Sequence, residues 1–146
     1  MPSFNTPVLP STPGLALGSP SMPWSIFSTQ TVAIFGNTVV NTIPWSATPI
    51  LDASSASAIE IVLSGDVTAA TFVSSASTGY VQLVVFYITQ DATGGRKWTW
   101  PGNFHGCQNV DGVNLVMAAN QVMVQTVYWS GTRNTGVAAS PAVFFP

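Results

Sequence analysis

Charge is what this chain has least of. Only eight of its 146 side chains ionise formally at neutral pH: Arg96, Lys97, Arg133, Asp52, Glu60, Asp66, Asp91 and Asp111. An average soluble domain of this length carries about 36. Three cations cannot neutralise a track of phosphates, so no nucleic-acid partner is expected. Cysteine is almost as scarce. Cys107 stands alone, which rules out an intramolecular disulfide and fits synthesis in a reducing compartment. Long apolar runs are missing too: a membrane helix needs about 20 apolar residues, and the best run is Val84-Val85-Phe86-Tyr87-Ile88. No membrane association is expected. A secretory leader is not expected either, because residues 1–51 carry no charged side chain to open one and prolines interrupt them at Pro2, Pro7, Pro10, Pro13, Pro20 and Pro23. No window holds a convincing helical period with caps.

What fills the space is hydroxyl and amide: 16 Ser, 16 Thr, eight Asn and six Gln. With 47% hydrophobic residues and a net charge of −2, the chain is not a solvated disordered polymer, which needs low hydrophobicity and high net charge. Residues 1–25 read as an extended Pro-rich arm, since each proline fixes its own φ and pushes the preceding residue toward extended geometry. Unlike a hydrophilic linker, this arm carries Phe4, Val8, Leu9, Leu15, Leu17, Met22 and Trp24. Burying each is worth about 1.5–3 kcal/mol, so these seven are the residues expected to dock the arm onto a neighbouring protein surface.

Residues 26–146 read as one β domain. Runs rich in Val, Ile, Thr and aromatics alternate with turn residues at near-regular spacing. Thr31–Phe35 and Thr38–Ile43 flank the hairpin signal Gly36-Asn37. Ile59–Leu63, Tyr80–Thr89, Lys97–Trp100, Asn114–Met117, Val122–Trp129 and Val137–Phe145 bring the count to about eight strands. Tyr80–Thr89 is apolar on both faces, which predicts a central strand covered on both sides. The expected fold is all-β, an antiparallel β-sandwich or jelly roll.

Candidate chemistry is thin. Asp66, Asp91 and Asp111 each sit in a Gly-containing turn that a short carboxylate stabilises. Asp52 precedes a Ser/Ala loop, and Glu60 points away from the face of Ile59 and Ile61. No carboxylate pair or nucleophile–base pair stands out, so no catalytic residue is assigned and no enzyme is expected. His105 and Cys107 share a His-x-Cys spacing, but a closed zinc site needs four ligands, so neither a metal nor a cofactor is expected. Gly94-Gly95-Arg96 lacks the Lys-Ser/Thr and the following helix of a phosphate loop. Trp98 and Trp100 are two apart and share a strand face. Exposed, they would stack on sugar rings; buried, they are core or a subunit seam, with Arg96 able to lie against a ring.

The run Val84–Pro101, with Ile88-Thr89-Gln90-Asp91-Ala92-Thr93-Gly94-Gly95-Arg96-Lys97-Trp98-Thr99-Trp100-Pro101 at its centre, resembles a β-module of tailed-phage virion proteins, of tail-fibre and decoration type. Ile61–Phe72 is similar to the module's first strand and turn, and Ala119-Asn120 with Val124–Thr132 to its closing strand. The resemblance covers about residues 57–133 and marks Asp91, Gly94, Gly95, Arg96, Trp98, Trp100 and Pro101 as its structural motif. It implies a phage virion structural protein, assembled in the host cytoplasm, whose partners are other capsid or tail proteins. The short length and the arm suggest a capsid decoration (cement) protein; the alternative is a tail-fibre or receptor-binding component that touches host surface glycans. A homotrimer is expected by analogy with other carriers of the module. Composition supports this, because 16 aromatics beside eight charges expose more apolar surface than a monomer tolerates. Trp129, Phe144 and Phe145 are the expected seam.

The arm should serve attachment and contribute little to folding. Deleting residues 1–25 should leave the cooperative thermal unfolding transition nearly unchanged and abolish incorporation into particles, scored by immunoblot of purified virions. A truncated chain without a cooperative transition would place the arm in the domain's own core.

Overall fold

The computed structural model of the chain describes residues 39–146, together with the backbone of two dipeptide strands nearer the N-terminus. Those two, β1 (Gly18–Ser19) and β2 (Met22–Pro23), pair antiparallel across Pro20-Ser21. The arm residues Phe4, Val8, Leu9, Leu15, Leu17 and Trp24, and the strand candidate Thr31–Phe35, lie outside the described residues; Met22 lies in β2. The chain divides into two units, Met1–Asn37 and Thr38–Pro146.

The second unit holds nine strands among its described residues. β3 (Val40–Ile43), β5 (Ala58–Leu63) and β7 (Val81–Gln90) are neighbours in one sheet. β4 (Ile50–Ala53) and β6 (Thr71–Ser74) form a second, two-stranded sheet. The chain therefore alternates between layers, β3 to β4 to β5 to β6 to β7. Each return through the second layer brings it back in the same direction, so β3–β5, β5–β7 and β4–β6 all pair parallel. From β7 the chain turns to antiparallel pairing with β9 (Val122–Ser130). The far edge of β9 is shared: β10 (Thr135–Ala138) takes its C-terminal half and β11 (Val143–Phe145) its N-terminal half. β8 (Phe104–His105) adds to β10 in parallel.

The all-β reading holds, as two layers with no helix among the described residues. The pairing is mixed where an antiparallel sandwich was expected, because the connections cross between layers instead of turning as hairpins. Lys97–Trp100 contributes only bridges, at Trp98, to Val67 and Val110, and Asn114–Met117 is not a strand. Val137–Phe145 is broken at Ser140-Pro141 into β10 and β11.

The core lies between the layers. Ile59, Ile61 and Leu63 of β5, Val84, Phe86 and Ile88 of β7, and Met123, Val127 and Trp129 of β9 face inward and are buried. Leu51 and Ala53 of β4 close over them. From β6, Phe72 reaches across to Phe86, Phe104 and Trp129, with ring centroids 6.0, 5.2 and 4.6 Å away. The side chain of Asn41 donates to the Asp52 carbonyl at 2.8 Å and ties β3 to β4. β7 is central, as expected, but the described residues cover it on one side only: Val81, Leu83 and Tyr87 on its other face are exposed. The second layer spans one face of the large sheet, and no described residue covers the other.

The turn before β7 rests on the turn after β9. Gly131 donates its N–H to the Tyr80 carbonyl at 3.0 Å, and Gly79 donates to the Thr132 hydroxyl at 2.7 Å. A Cβ on Gly131 would collide with the carbonyl oxygens of Ser77 and Ala76. Gly131→Ala should therefore destabilise the domain by about 1–3 kcal/mol, the cost of overpacking against atoms that cannot yield, as read from denaturant midpoints. Gly102→Ala, where a Cβ would meet nothing within 4 Å, should be close to neutral.

Candidate functional site

The motif that follows β7 is a folding device before it is anything else. Gln90 ends β7 with its side chain fully buried. Its Oε1 accepts from the Arg96 N–H at 2.8 Å and its Nε2 donates to the Arg96 carbonyl at 3.0 Å, so one amide closes the loop on both groups of one residue. Asp91 fills the loop from inside. Its Oδ1 accepts from the N–H groups of Thr93 and Gly94, each at 3.0 Å, and its Oδ2 takes the Arg96 guanidinium in a fork at 3.2 and 2.8 Å. The Arg96 guanidinium holds the Asp91 carboxyl below the usual carboxylate range, and Asp91 in turn raises Arg96. Gly94 has φ +70°, and a Cβ there would lie 2.5 Å from the Ala119 nitrogen. Gly95 donates to the Met117 carbonyl at 2.9 Å, and Asn120 donates to the Asp91 carbonyl at 3.0 Å.

This loop delivers two indoles into the core. Trp98 is fully buried and Trp100 nearly so, edge to face with centroids 5.3 Å apart. Trp100 stacks on Phe104 at 5.6 Å and donates its Nε1–H to the Gln108 carbonyl at 2.8 Å. The Trp98 Nε1 is buried and has no hydrogen-bond partner among the described residues. Pro101 is buried, and its carbonyl accepts from Phe104 at 2.9 Å. The seven motif residues Asp91, Gly94, Gly95, Arg96, Trp98, Trp100 and Pro101 thus form one structural unit. Neither indole is free to meet a sugar, and Arg96 is engaged by Asp91 instead of lying against a ring.

The remaining polar residues hold turns. The Asp111 carboxylate accepts from the N–H groups of Val113, Asn114 and Leu115 at 2.8, 2.7 and 3.1 Å, which lowers its pKa. Asp52 is lowered by its bonds to Ser54. Asp66 accepts from the Lys97 N–H at 3.0 Å. Burial pushes the Cys107 thiol up to about 11, which keeps it protonated and a poor nucleophile at neutral pH. Among the described residues no three His, Cys, Asp or Glu side chains gather as they would around a metal ion.

The feature that composition and periodicity missed is the outer face of the large sheet. Of the residues whose parity points them there, Val62 of β5, Leu83 of β7, Tyr128 of β9 and Val137 of β10 are apolar and about half exposed. Tyr128 sits opposite both Leu83 and Val137 in the strand register. An open depression of about 320 Å³ lies on this face, lined by Val40, Ala58, Glu60, Val85 and Tyr87. Phe145 lies on the same face, 50% exposed. The other two expected seam residues do not. Trp129 has inward parity on β9 and is only 3% exposed, and Phe144 packs against the core from β11. Their apolarity belongs to the interior, a correction to the expected seam.

A family model described as "Putative phage tail fibre C-terminal domain" matches residues 47–134 of this chain. The matched span runs from the segment before β4 to the turn after β9 and includes the whole motif loop. No curated protein and no solved structure matches the chain.

Two substitutions test the loop. Gln90→Leu leaves the Arg96 N–H and carbonyl without their partner and should cost about 1–3 kcal/mol per group left unpaired. Asp91→Asn should lower stability at pH 7. Because the Asp91 pKa is lowered by folding, its contribution is present above the unfolded carboxylate range and is lost as pH falls through the folded value. The variant should therefore show a shallower loss of stability below about pH 4 than the parent, measured by chemical denaturation across the acid range.

Proposed function

Since the chain belongs to the phage tail fibre C-terminal domain family, we propose that it is a non-catalytic, homotrimeric module of a tail fibre rather than a decoration protein of the capsid shell. That it is a structural component of a phage virion follows from the family. The position within the virion rests on one observation, the match of residues 47–134 to a tail-fibre domain. That span takes in both layers of the sandwich and the motif loop that orders their aromatic core, so what resembles tail fibres is the folded domain itself.

The acids of the domain are all engaged elsewhere than in catalysis. Asp52, Asp66, Asp91 and Asp111 are each committed to turn or loop hydrogen bonds, and Glu60 bonds Thr42 on the outer face at 3.3 Å. Asp52, Asp91 and Asp111 are held below the usual carboxylate range by these bonds, the opposite of what a general acid needs near neutrality. Glycan contact is not part of this reading, because Trp98 and Trp100, which would stack on sugars only if exposed, line the core. Partners are other virion proteins, with residues 1–25 as the attachment segment.

Immunogold labelling of intact particles with antibodies raised against residues 39–146 tests the assignment. Gold at the tail fibres is the expected result. Gold distributed over the faces of the head would return the chain to the capsid.

A further inference from the structure

We propose that the outer face of the seven-stranded sheet is the surface through which copies of this chain bind one another. The inference deepens the self-assembling reading above, on which it rests, by naming the surface. Its first support is the parity of the strands. On β5, β7 and β9 the inward residues are buried, while Val62, Leu83, Tyr87 and Tyr128 keep between 37% and 51% of their surface exposed. They form one continuous patch across adjacent strands, not scattered single residues. Contiguous apolar surface of this kind marks an interaction site.

Charge selects the occupant. Among the residues of β3, β5, β7, β9, β10 and β11 that face this side, Glu60 alone carries a formal charge. A partner that recognises charge finds almost nothing here to pair with, and one bearing its own charges would have to desolvate them without compensation. The complementary surface must be flat, apolar and uncharged. The same face on the other copies of a trimer, each turned toward a common three-fold axis, meets all three requirements.

Size agrees. The face is five strands deep at about 4.8 Å each, and its longest strand, β7, has ten residues at about 3.4 Å each. The other strands are shorter, so its 36 residues offer roughly 600 Å², at the lower end of the roughly 600–1,000 Å² that each partner gives to a standard interface. The second layer already occupies the opposite face of the sheet, so among the described residues this one is the face left open to other copies.

The test uses the full chain. Leu83→Lys and Tyr128→Lys each place a charge on a central strand of the face, at side chains that are about half exposed. Val113→Lys adds the same charge at an exposed site in the Asp111 loop. Sedimentation at micromolar concentration should give about three times 15.3 kDa for the parent and for Val113→Lys. The two face variants should fall to a single copy with near-UV circular dichroism unchanged. On the unsubstituted protein, tyrosine nitration followed by peptide mapping should modify Tyr87 and Tyr128 several-fold more slowly in the assembled state than after dilution to monomer. Face variants that stay assembled, as they would if copies joined at the β3 edge, overturn the proposal while leaving self-assembly intact. A parent that sediments as a monomer overturns self-assembly itself. Protection of Tyr87 and Tyr128 in that monomer would assign the face to residues 1–38 of the same chain.

Discussion

One buried amide fixes the geometry on which the rest depends. The Gln90 side chain grips both the N–H and the carbonyl of Arg96 at the point where β7 leaves the sheet. In a water-excluded site such a bond is worth keeping and costly to break. With the loop closed, Asp91 and Arg96 meet without searching, Gly94 can press against the Ala119 backbone, and the chain re-enters the molecule at the register that buries Trp98. Remove the grip and two backbone groups lose their partners together with the aim of two indoles.

Gln82 and Gln125 repeat the arrangement elsewhere on the inner face. Gln82 donates to the carbonyls of Ala53 and Ala56 at 2.7 and 3.3 Å and accepts from the Ser74 hydroxyl at 2.7 Å, joining both strands of the second layer to β7. Gln125 donates to the Ser140 carbonyl at 2.7 Å and fixes the bend between β10 and β11. A winding that alternates layers leaves many loop carbonyls near the core. Long neutral side chains that can donate and accept from one position satisfy them at a much lower desolvation cost than ions would.

Much of this was legible in the residues. Alternation and turn chemistry gave β5, β7 and β9, and Asp91 and Asp111 occupy the turns that short carboxylates favour. The second layer was not legible. β4 and β6 are four residues each, with Pro49 before one and Ser/Ala stretches after both. Their Leu51 and Phe72 become informative only once the chain is known to cross between sheets. Parallel pairing was hidden for the same reason, since it is a property of connections and not of any strand's own composition. The outer face was misread because Val81, Leu83, Val85 and Tyr87 look like residues meant for a core. Periodicity reports that a face is apolar without saying whether the same chain or another one covers it.

The amide fasteners have a consequence for endurance. Dissolved ions weaken attractions between exposed charges over distances near 10 Å at about 0.1 M, and a fold laced by ion pairs answers to the brine around it. Here a single ion pair, Asp91–Arg96, is formed among the described residues. The polar ties between layers are neutral, partly buried groups. A particle outside its host has no means of replacing its parts, and across a wide range of salinity the described layers of this domain present almost nothing for salt to screen.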